Sequence, residues 1–483
     1  MSALFRLDDV ANWVAGAQLD QDDAAVACRR VHTDTRSIEP GDLFVALKGE
    51  RYDANDFLNE AWQRGAAAAI CHASADRSTA KGMPCVVVPD TRVALGQLAR
   101  AWRSRFTLPV IAVAGSNGKT TVTQMLAAIL SAFKPDGQAL ATRGNLNNDI
   151  GVPNTLLRLR EQHRIAVIEL GMNHPGEIAV LADMVQPSVA LVNNAQREHL
   201  EFMRTVAAVA AENGSVISSL GPQGVVVIPQ DDAYTPLWQT LAGTRRIVMF
   251  ALTGTAAQDT LVCTQARWVG GAWHIHASGM GLELQYRLEI AGRHNIKNSL
   301  AAAAAALAAG VPLTAVVQGL QAFVPVKGRS RAVVLSVQGR LVTLVDDTYN
   351  ANPDSVQAAT EVLADLPGPR LLVLADMGEV GEQGPQLHAE AGRYAKARGI
   401  DQLWTLGELG QVAAIAHGEA QHFDTIDKLI DALPRTLPHV CSVLVKGSRF
   451  MHMERVVDAL IELAGTAPGG QPAAPFAVGV SQC

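Results

Sequence analysis

A short glycine-rich segment of the chain has the residue types needed to hold the phosphates of a nucleotide. Residues 112–121 read Ala-Val-Ala-Gly-Ser-Asn-Gly-Lys-Thr-Thr, between a predicted apolar strand and a predicted helix. Such a turn directs several backbone N–H groups and the helix dipole at one point, which suits a polyphosphate. Lys119 adds a cation for the β- and γ-phosphates, and Thr120 a hydroxyl for magnesium. We expect the phosphates of a nucleotide to contact Gly115, Ser116, Asn117, Gly118, Lys119, Thr120 and Thr121.

This segment departs from the common phosphate-loop spacing at one position. The usual pattern G-x-x-x-x-G-K-[ST] would place a glycine at position 113, where the chain has Val113. What remains is the shorter form Gly115-x-x-Gly118-Lys119-Thr120. A Gly-Lys-Thr turn without a ligand is the alternative interpretation. The flanking strand and helix favour a phosphate site.

Two side chains with metal-binding chemistry follow predicted strands near this loop. Glu169 ends the strand predicted at 165–170, and His199 follows the strand predicted at 189–192. In a parallel sheet the carboxyl ends of the strands face the ligand crevice. Phosphoryl transfer depends on positioning and on magnesium, so Glu169 is a candidate oxygen ligand. By position alone His199 is as readily an ordinary surface or core residue, because magnesium prefers oxygen.

The elements that would position these residues predict three α/β domains. The chain has 483 residues, whereas single hydrophobic cores stop growing at about 250–300 residues. We predict a small N-terminal α/β domain over residues 1–106, with a helix around 60–69, and a central P-loop domain with a parallel sheet over 107–326. A C-terminal Rossmann-like, doubly wound domain is predicted over 327–464. The Ala-, Pro- and Gly-rich residues 465–483 are predicted to be a flexible tail.

Composition and charge argue against several other classes of protein. The formal charge is -6, from 40 Lys and Arg against 46 Asp and Glu, so no excess of cations is available for nucleic acid. The uncharged run 299–317 is broken by Gly310-Val311-Pro312, which predicts a buried helix and not a membrane span. The scattered cysteines and the acidic start of the chain argue against a disulfide framework and a secretory signal. We expect a cytoplasmic protein, and a monomer.

Several segments together resemble the Mur ligase family of peptidoglycan synthesis. The resemblance covers about residues 30–460 and includes Gly-x-x-Gly-Lys-Thr-Thr at 115–121. It continues through Glu169, His199, Gly-Arg-His-Asn-Ile-Lys-Asn at 292–298 and an aspartate of the third domain. These motifs imply an ATP-dependent amide ligase with three domains and a magnesium requirement.

Longer segments resemble one branch of this family. They are Gly-Asn-Leu-Asn-Asn-Asp-Ile-Gly-Val-Pro at 144–153, Glu-Leu-Gly-Met-Asn-His at 169–174, Asp-Thr-Tyr-Asn-Ala-Asn-Pro-Asp-Ser at 347–355 and Asp-Met-Gly-Glu at 376–379. That branch adds D-alanyl-D-alanine to UDP-N-acetylmuramoyl-tripeptide through an acyl phosphate, which gives UDP-N-acetylmuramoyl-pentapeptide. The resemblance therefore implies these two substrates for this chain.

The resemblance also implies roles in the ATP site. Lys119 would meet the phosphates, Thr120 the phosphates and magnesium, and Glu169 and His199 would hold magnesium near the γ-phosphate. Two asparagines, Asn295 and Asn298, would bind adenine, since a carboxamide both donates and accepts hydrogen bonds. Helix caps are the alternative role for both asparagines.

Two residues of the third domain are implied to reach ATP only after domain closure. Arg329 would contact the γ-phosphate and act with Lys119 on the developing negative charge. Asp347 would lie near the ribose. A surface salt bridge is the alternative for each residue.

Residues implied to bind the two other substrates lie in all three domains. The first-domain segments would bind the uridine diphosphate end, although two polar turns are the alternative. Central residues would contact the sugar and peptide, and third-domain residues the incoming dipeptide. In chain order the set is Thr35, Arg36, Ser37, Lys48, Gly49, Thr142, Asn145, Asn147, Asn148, Asn350, Asn352, Lys446 and Ser448.

One position departs from the family pattern. Many members have a carbamylated lysine that provides a carboxylate for a second magnesium, where this chain has Asn213. Asparagine cannot be carbamylated. Either the second metal is held differently, with Glu212 as a candidate ligand, or it is bound more weakly.

Two other functions fit part of the sequence. Folylpolyglutamate synthases share the middle and last domains, but they begin close to their phosphate loop, whereas more than 100 residues precede Gly115 here. A nucleotide-controlled binding protein that does not ligate is the alternative from another class. ADP release that requires both precursors would separate the three.

Overall fold

Successive parts of the chain build three larger sheets, each with its own helices. The computed structural model describes residues 3–49, 52–269 and 271–464. The predicted tail at 465–483 lies outside the described residues. The units built on the three sheets are called the first, central and third units below. Their mixed α/β architecture confirms the predicted fold class.

The first unit contains a four-stranded parallel sheet of order β3-β4-β5-β6 and a separate antiparallel pair, β1 and β2. The helix predicted around 60–69 is wrong in its second half. Gly65, at φ +95°, follows the helix, and the buried run at 68–71 forms an inner strand instead. The elements are β1 Phe5–Arg6, α1 Leu7–Trp13, β2 Ala27–Cys28, β3 Arg30–His32, β4 Asp42–Val45, α2 Leu58–Gln63, β5 Ala68–His72, β6 Cys85–Val88 and α3 Thr91–Arg103.

The central unit is built on a nine-stranded sheet of order β15-β14-β13-β12-β11-β10-β7-β9-β8. Strands β7 to β13 pair in parallel, whereas β14 and β15 continue the sheet as an antiparallel meander. Its elements are β7 Val110–Ala114, α4 Lys119–Phe133, β8 Ala139–Ala141, α5 Gly151–Leu156, β9 Ile165–Glu169, α6 Glu177–Val185, β10 Val189–Val192, α7 Leu200–Met203, α8 Val206–Ser218, β11 Val225–Pro229, α9 Thr235–Ala242, β12 Arg246–Ala251, β13 Thr260–Val269, β14 Ala272–Gly279, β15 Leu282–Leu288, α10 Arg293–Ala308 and α11 Leu313–Ala322.

The third unit has a six-stranded sheet of order β16-β17-β21-β18-β19-β20, antiparallel only between β16 and β17. Helices α12 and α13 cover one face, and α15 and α16 the other, which is the predicted doubly wound arrangement. Its elements are β16 Arg331–Val337, β17 Arg340–Asp347, α12 Pro353–Ala364, β18 Arg370–Ala375, α13 Gly384–Ala397, β19 Gln402–Leu406, α14 Glu408–His417, β20 Gln421–Phe423, α15 Ile426–Thr436, β21 Ser442–Lys446 and α16 Glu454–Leu463.

The inner strand β7 is buried on both faces, and this fixes the loop that follows it. Ile111 and Val113 point into the cluster formed with α4, α10 and α11. Val110, Ala112 and Ala114 point into the opposite cluster, as the two-residue period of a strand requires. Val113 is therefore a core residue of the strand, and the loop begins after it.

The alanine-rich run in α10 is buried, as predicted. Residues 301–306 are all fully buried in the central unit, where small side chains let neighbouring helices and strands approach closely. In the part of the chain that the structure describes, no helix is long and apolar enough to cross a membrane. The predicted domain limits at 106 and 326 fall in connecting segments and stay predictions.

Close packing of α11 on α4 generates a test of the central unit. A Cβ added to Gly319 would lie 2.3 Å from the Ile129 Cα. We predict that Gly319→Ala destabilises the protein by about 1–3 kcal/mol, the usual cost of overpacking, measured as a lower urea midpoint. At Gly221 a Cβ would meet nothing within 4 Å, so Gly221→Ala is the control. Equal midpoints for the two variants would contradict this packing.

Candidate active site

One cavity of about 1320 Å³ lies between the central and third units. It opens where β7, β9 and β10 end, which is the edge of a parallel sheet where ligands bind. The structure brings most predicted site residues to its wall. They are Ser116, Asn117, Gly118, Lys119, Thr120, Thr121, Asn145, Asn147, Asn148, Glu169, His199, Asn295, Asn298, Arg329, Asp347, Asn350, Asn352 and Lys446.

The turn between β7 and α4 depends on two glycines with positive φ. Gly115 has φ +131° and Gly118 has φ +82°, conformations that side chains rarely adopt. A Cβ at Gly118 would lie 2.6 Å from the Asn298 Oδ1. The turn thus passes close under neighbouring polar side chains, and asparagines accept the N–H groups of Gly115 and Asn117.

Lys119 lies at the start of α4 with its ammonium almost buried. Its Nζ donates to the Ser116 carbonyl at 2.9 Å and to Glu198 Oε1 at 2.8 Å. The two side chains are only 12% and 10% exposed, so each charge requires the other. Burial would raise the pKa of Glu198, but Lys119 and His199 hold it below its ordinary value. Glu198 is therefore the anionic partner of Lys119.

Glu169, at the end of β9, is held by one oxygen only. Its Oε1 accepts from the Thr120 hydroxyl at 3.1 Å and from Asn147 Nδ2 at 2.8 Å. Its backbone N–H donates to Thr142 Oγ1 at 3.0 Å. The other carboxylate oxygen is buried without a hydrogen-bond partner. A buried, unpaired carboxylate oxygen is suited to a cation.

His199 lies between two carboxylates. Its Nδ1 is 2.6 Å from Glu379 Oε2 of the third unit, and its Nε2 is 3.3 Å from Glu198 Oε1. Burial alone would lower its pKa, but hydrogen bonds and charge from the two glutamates raise the pKa of His199 to about 9. The imidazole is therefore protonated near neutral pH and links the two units.

The two predicted adenine ligands belong to a chain of carboxamides. Asn295 Nδ2 donates to the Ala291 carbonyl at 2.7 Å, and Asn298 Nδ2 donates to Asn295 Oδ1 at 2.9 Å. Asn193 Nδ2 then donates to Asn298 Oδ1 at 2.9 Å. The alternative that the two asparagines are N-caps is wrong, because Gly292 is the N-cap residue of α10.

Arg329 of the third unit reaches the phosphate loop. Its Nη2 donates to Thr120 Oγ1 at 3.1 Å. The guanidinium lies 3.8 Å from the centre of the Tyr349 ring, a cation–π contact that orients it. The surface salt bridge alternative is therefore wrong for Arg329.

Asp347 and Lys446 form a pair in the cavity wall. Lys446 Nζ donates to Asp347 Oδ2 at 2.6 Å and to the Asn350 carbonyl at 2.9 Å. Burial would raise the pKa of Asp347, but the charge of Lys446 lowers it below its ordinary value. The side chains of Lys446 and Asp347 are 3% and 15% exposed, so Asp347 is not part of a surface salt bridge.

A smaller set of predicted residues lies away from the cavity lining. Arg36 is exposed and pairs with Asp34 at 2.6 Å. Thr142 faces inward and holds Glu169, while the buried Ser448 Oγ accepts from the Gly378 N–H at 2.7 Å. The set is Thr35, Arg36, Ser37, Lys48, Gly49, Gly115, Thr142 and Ser448.

The departure at position 213 has a structural role beside the loop. The buried Asn213 accepts the Gly115 N–H through Oδ1 at 3.0 Å. Glu212 accepts the N–H groups of Gly176 and Ile178, both at 2.8 Å. Both Glu212 oxygens are thus engaged at the start of α6, which disfavours it as a metal ligand.

Sequence reasoning missed three residues on the loops after β10. Glu198 pairs with Lys119, Asn193 bonds Asn298, and Arg197 contacts the third unit. The available signal was their position beside His199 at the end of a central strand. Their partners are distant in sequence, so that signal could not identify the contacts.

This combination of parallel sheet, phosphate loop and closing third unit defines a nucleotide-dependent enzyme of several α/β units. Three family models match consecutive parts of the chain. They are "Mur ligase family, catalytic domain" at residues 28–103, "Mur ligase middle domain" at 113–306 and "Mur ligase, glutamate ligase domain" at 328–449.

Relatives and solved structures agree with these models. The UDP-N-acetylmuramoyl-tripeptide--D-alanyl-D-alanine ligase of Escherichia coli K12 is 40% identical and aligns over 95% of this chain and 98% of its own. The Haemophilus influenzae ligase of that name is 38% identical over 91% and 94%. A crystal structure of MurF from Acinetobacter baumannii has a TM-score of 0.84 at 36% identity, covering 94% and 98%. MurF from Thermotoga maritima in complex with ADP has a TM-score of 0.77 at 26% identity, covering 90% and 97%.

The chain belongs to the Mur ligase family, on its MurF branch. It is an ATP-dependent ligase that forms a carbon–nitrogen bond.

The position of His199 between two glutamates predicts a pH dependence of stability. Because its folded pKa is raised from 6.5 to about 9, the stabilisation is complete below pH 6.5 and is lost as the pH rises through 9. We predict that Glu379→Gln reduces the fall in melting temperature between these pH values, measured without nucleotide or metal. Glu382→Gln, in the exposed 3-10 helix Gly381–Gln383 nearby, is the control. Identical pH profiles for wild type and Glu379→Gln would refute this assignment.

Proposed function

We propose that this protein joins D-alanyl-D-alanine to UDP-N-acetylmuramoyl-tripeptide in peptidoglycan synthesis and yields UDP-N-acetylmuramoyl-pentapeptide. The main observation behind this proposal is that Arg329 of the third unit reaches the phosphate loop that contains Lys119. Its Nη2 lies 3.1 Å from Thr120 Oγ1. The ligases similar to this chain over nearly their whole length bear that activity in their names. The three units would then together bind three substrates, which are ATP, the UDP-linked tripeptide and D-alanyl-D-alanine.

The chemistry requires activation of a carboxylate, because an amide does not form from a free acid and an amine without a leaving group. In the proposed course the terminal carboxylate of the tripeptide attacks the γ-phosphate of ATP and gives an acyl phosphate and ADP. The amine of D-alanyl-D-alanine then displaces phosphate through a tetrahedral intermediate. Lys119 and Arg329 would stabilise the negative charge that develops in both steps.

The residues present fit a magnesium ion beside the phosphates. The Thr120 hydroxyl and the unpaired buried oxygen of Glu169 are oxygen donors of the kind that magnesium prefers. His199 would join them only after one ring nitrogen has lost its proton, while the other can keep its contact with a glutamate. In the described part of the chain no three His, Cys, Asp or Glu side chains are already arranged as a metal site. When bound, the ion would offset charge on the transferred phosphoryl group.

The substrate residues divide between the units. We propose that Thr35, Arg36, Ser37, Lys48 and Gly49 bind the uridine diphosphate end from the first unit. Asn145, Asn147 and Asn148 line the cavity beside Glu169 and would contact the sugar and peptide. Asn350, Asn352 and Lys446 line its third-unit wall, where the dipeptide would enter. Thr142 and Ser448 would affect substrate binding indirectly. Thr142 accepts the Glu169 N–H, and Ser448 accepts the Gly378 N–H.

Location and assembly form part of the same proposal. A cytoplasmic, monomeric enzyme fits a reaction that consumes ATP and a UDP-linked precursor. The domain limits at 106, 326 and 464 are also proposed.

A coupled assay of ADP release tests the reaction directly. We expect release only when ATP, UDP-N-acetylmuramoyl-tripeptide and D-alanyl-D-alanine are all present, with the pentapeptide product seen by mass spectrometry. Release with a folate and glutamate instead would indicate a folylpolyglutamate synthase. ATP binding without release under any of these conditions would indicate a binding protein, and either outcome would overturn the proposal.

The charge of Lys119 provides a second test of this function. We predict that Lys119→Ala lowers the turnover number by about 100-fold or more, since its ammonium stabilises transition-state charge, whereas binding of the UDP-linked precursor largely survives. Turnover is measured by ADP release and binding by calorimetry. Lys134→Ala, at the far end of α4 with its ammonium over Phe133, is the control. Loss of turnover and of precursor binding together would contradict the assignment of units.

A further inference from the structure

Arg197 joins the central unit to the third unit through two carboxylates. Its backbone N–H donates to Asp354 Oδ2 at 2.7 Å, and its Nε and Nη2 donate to Asp354 Oδ1 at 3.0 and 2.8 Å. Its Nη1 donates to both oxygens of Glu390 at 2.9 and 3.0 Å. Asp354 lies on α12 and Glu390 on α13. One side chain therefore contacts two helices of the other unit.

The geometry of this contact is more restrictive than that of an ordinary surface pair. A guanidinium is planar and presents its donors in a fixed fork, so it fits these carboxylates in one orientation. Gln357 Nε2 also donates to Glu390 Oε1 at 2.7 Å and holds that carboxylate in place. Arg197 and Asp354 are 25% and 20% exposed, which weakens screening by solvent. The contact therefore specifies how α12 and α13 sit against the central unit.

The residues that follow Arg197 contact the phosphate loop and the same third unit. Glu198 holds Lys119 at 2.8 Å, and His199 lies 2.6 Å from Glu379. Leu200 is buried in the apolar cluster that α12 and α13 form with their sheet. Consecutive residues of one loop thus touch the lysine of the phosphate loop and the surface of the third unit. A displacement of the third unit would move the partner of Lys119.

We propose that Arg197 is a positioning residue that holds the third unit against the phosphate loop in the closed, reactive arrangement. The expected effect on turnover rests on the proposed function, whereas the expected effect on the arrangement of the units does not. In this arrangement Arg329 donates to Thr120, and Asn352 Nδ2 donates to Asn117 Oδ1 at 2.9 Å. Arg197 stabilises that arrangement from outside the reacting groups.

Replacing the guanidinium by an uncharged side chain tests the proposal. We expect Arg197→Gln to raise the ratio of open to closed molecules about ten-fold, seen in small-angle X-ray scattering as a larger radius of gyration. We expect the turnover number to fall with the closed fraction, by at most about ten-fold, at a temperature well below the melting point of the variant. Arg197→Lys keeps the charge without the fork and should lie between wild type and Arg197→Gln. Arg455→Gln removes a pair with Asp427 inside the third unit, at 2.6 Å, and is the control.

A double-mutant cycle shows whether Arg197 acts through these carboxylates. In a chain with Asp354→Asn and Glu390→Gln, the further change Arg197→Gln should have no additional effect on the radius of gyration. A full additional effect would overturn the proposal, as would an Arg197→Gln variant that scatters and turns over like wild type. Absence of ligation by wild type would refute the proposed function alone, because the scattering comparison does not depend on turnover.

Discussion

The buried ammonium of Lys119, paired with Glu198 beside the phosphate loop, is the interaction around which the site is arranged. Lys119 is almost inaccessible to solvent, and an unpaired charge in such a place is costly. Glu198 and the Ser116 carbonyl satisfy it. Glu198 follows β10, whose parallel register with β7 places Leu191 beside Val113. The order of the sheet thus decides which side chains face the phosphate loop.

The same constraint explains why the loop is surrounded by asparagines. Asn213 accepts the Gly115 N–H, Asn194 accepts the Asn117 N–H, and Asn193 donates to the Asn117 carbonyl. A carboxamide can donate and accept without adding charge, so it holds the turn while leaving the negative charge of the site to Glu169 and Glu198. Asn213, which departs from the lysine of the family pattern, fixes the backbone of the loop.

The third unit contributes the remaining charges of the cavity. Arg329 reaches Thr120, while Asp347 and Lys446 neutralise each other in the opposite wall. The proposed acyl phosphate would be lost to water, so a site enclosed between two units would protect it. The contacts of Arg197 and His199 join the two units electrostatically, because both residues face carboxylates of the third unit.

The sequence by itself determined the fold class, the phosphate loop and the position of Glu169 at the cavity, because these depend on local patterns of strand, turn and helix. The roles of His199 and Arg329 followed only from the resemblance to the Mur ligase family. It misplaced part of 60–69, where burial in a sheet overrode the helical tendency of alanine. Only the tertiary structure showed that Glu198 neutralises Lys119 and that Arg197 joins Asp354 and Glu390. Those contacts unite residues far apart in sequence, and no local pattern encodes the sheet order and the docking of units that bring them together.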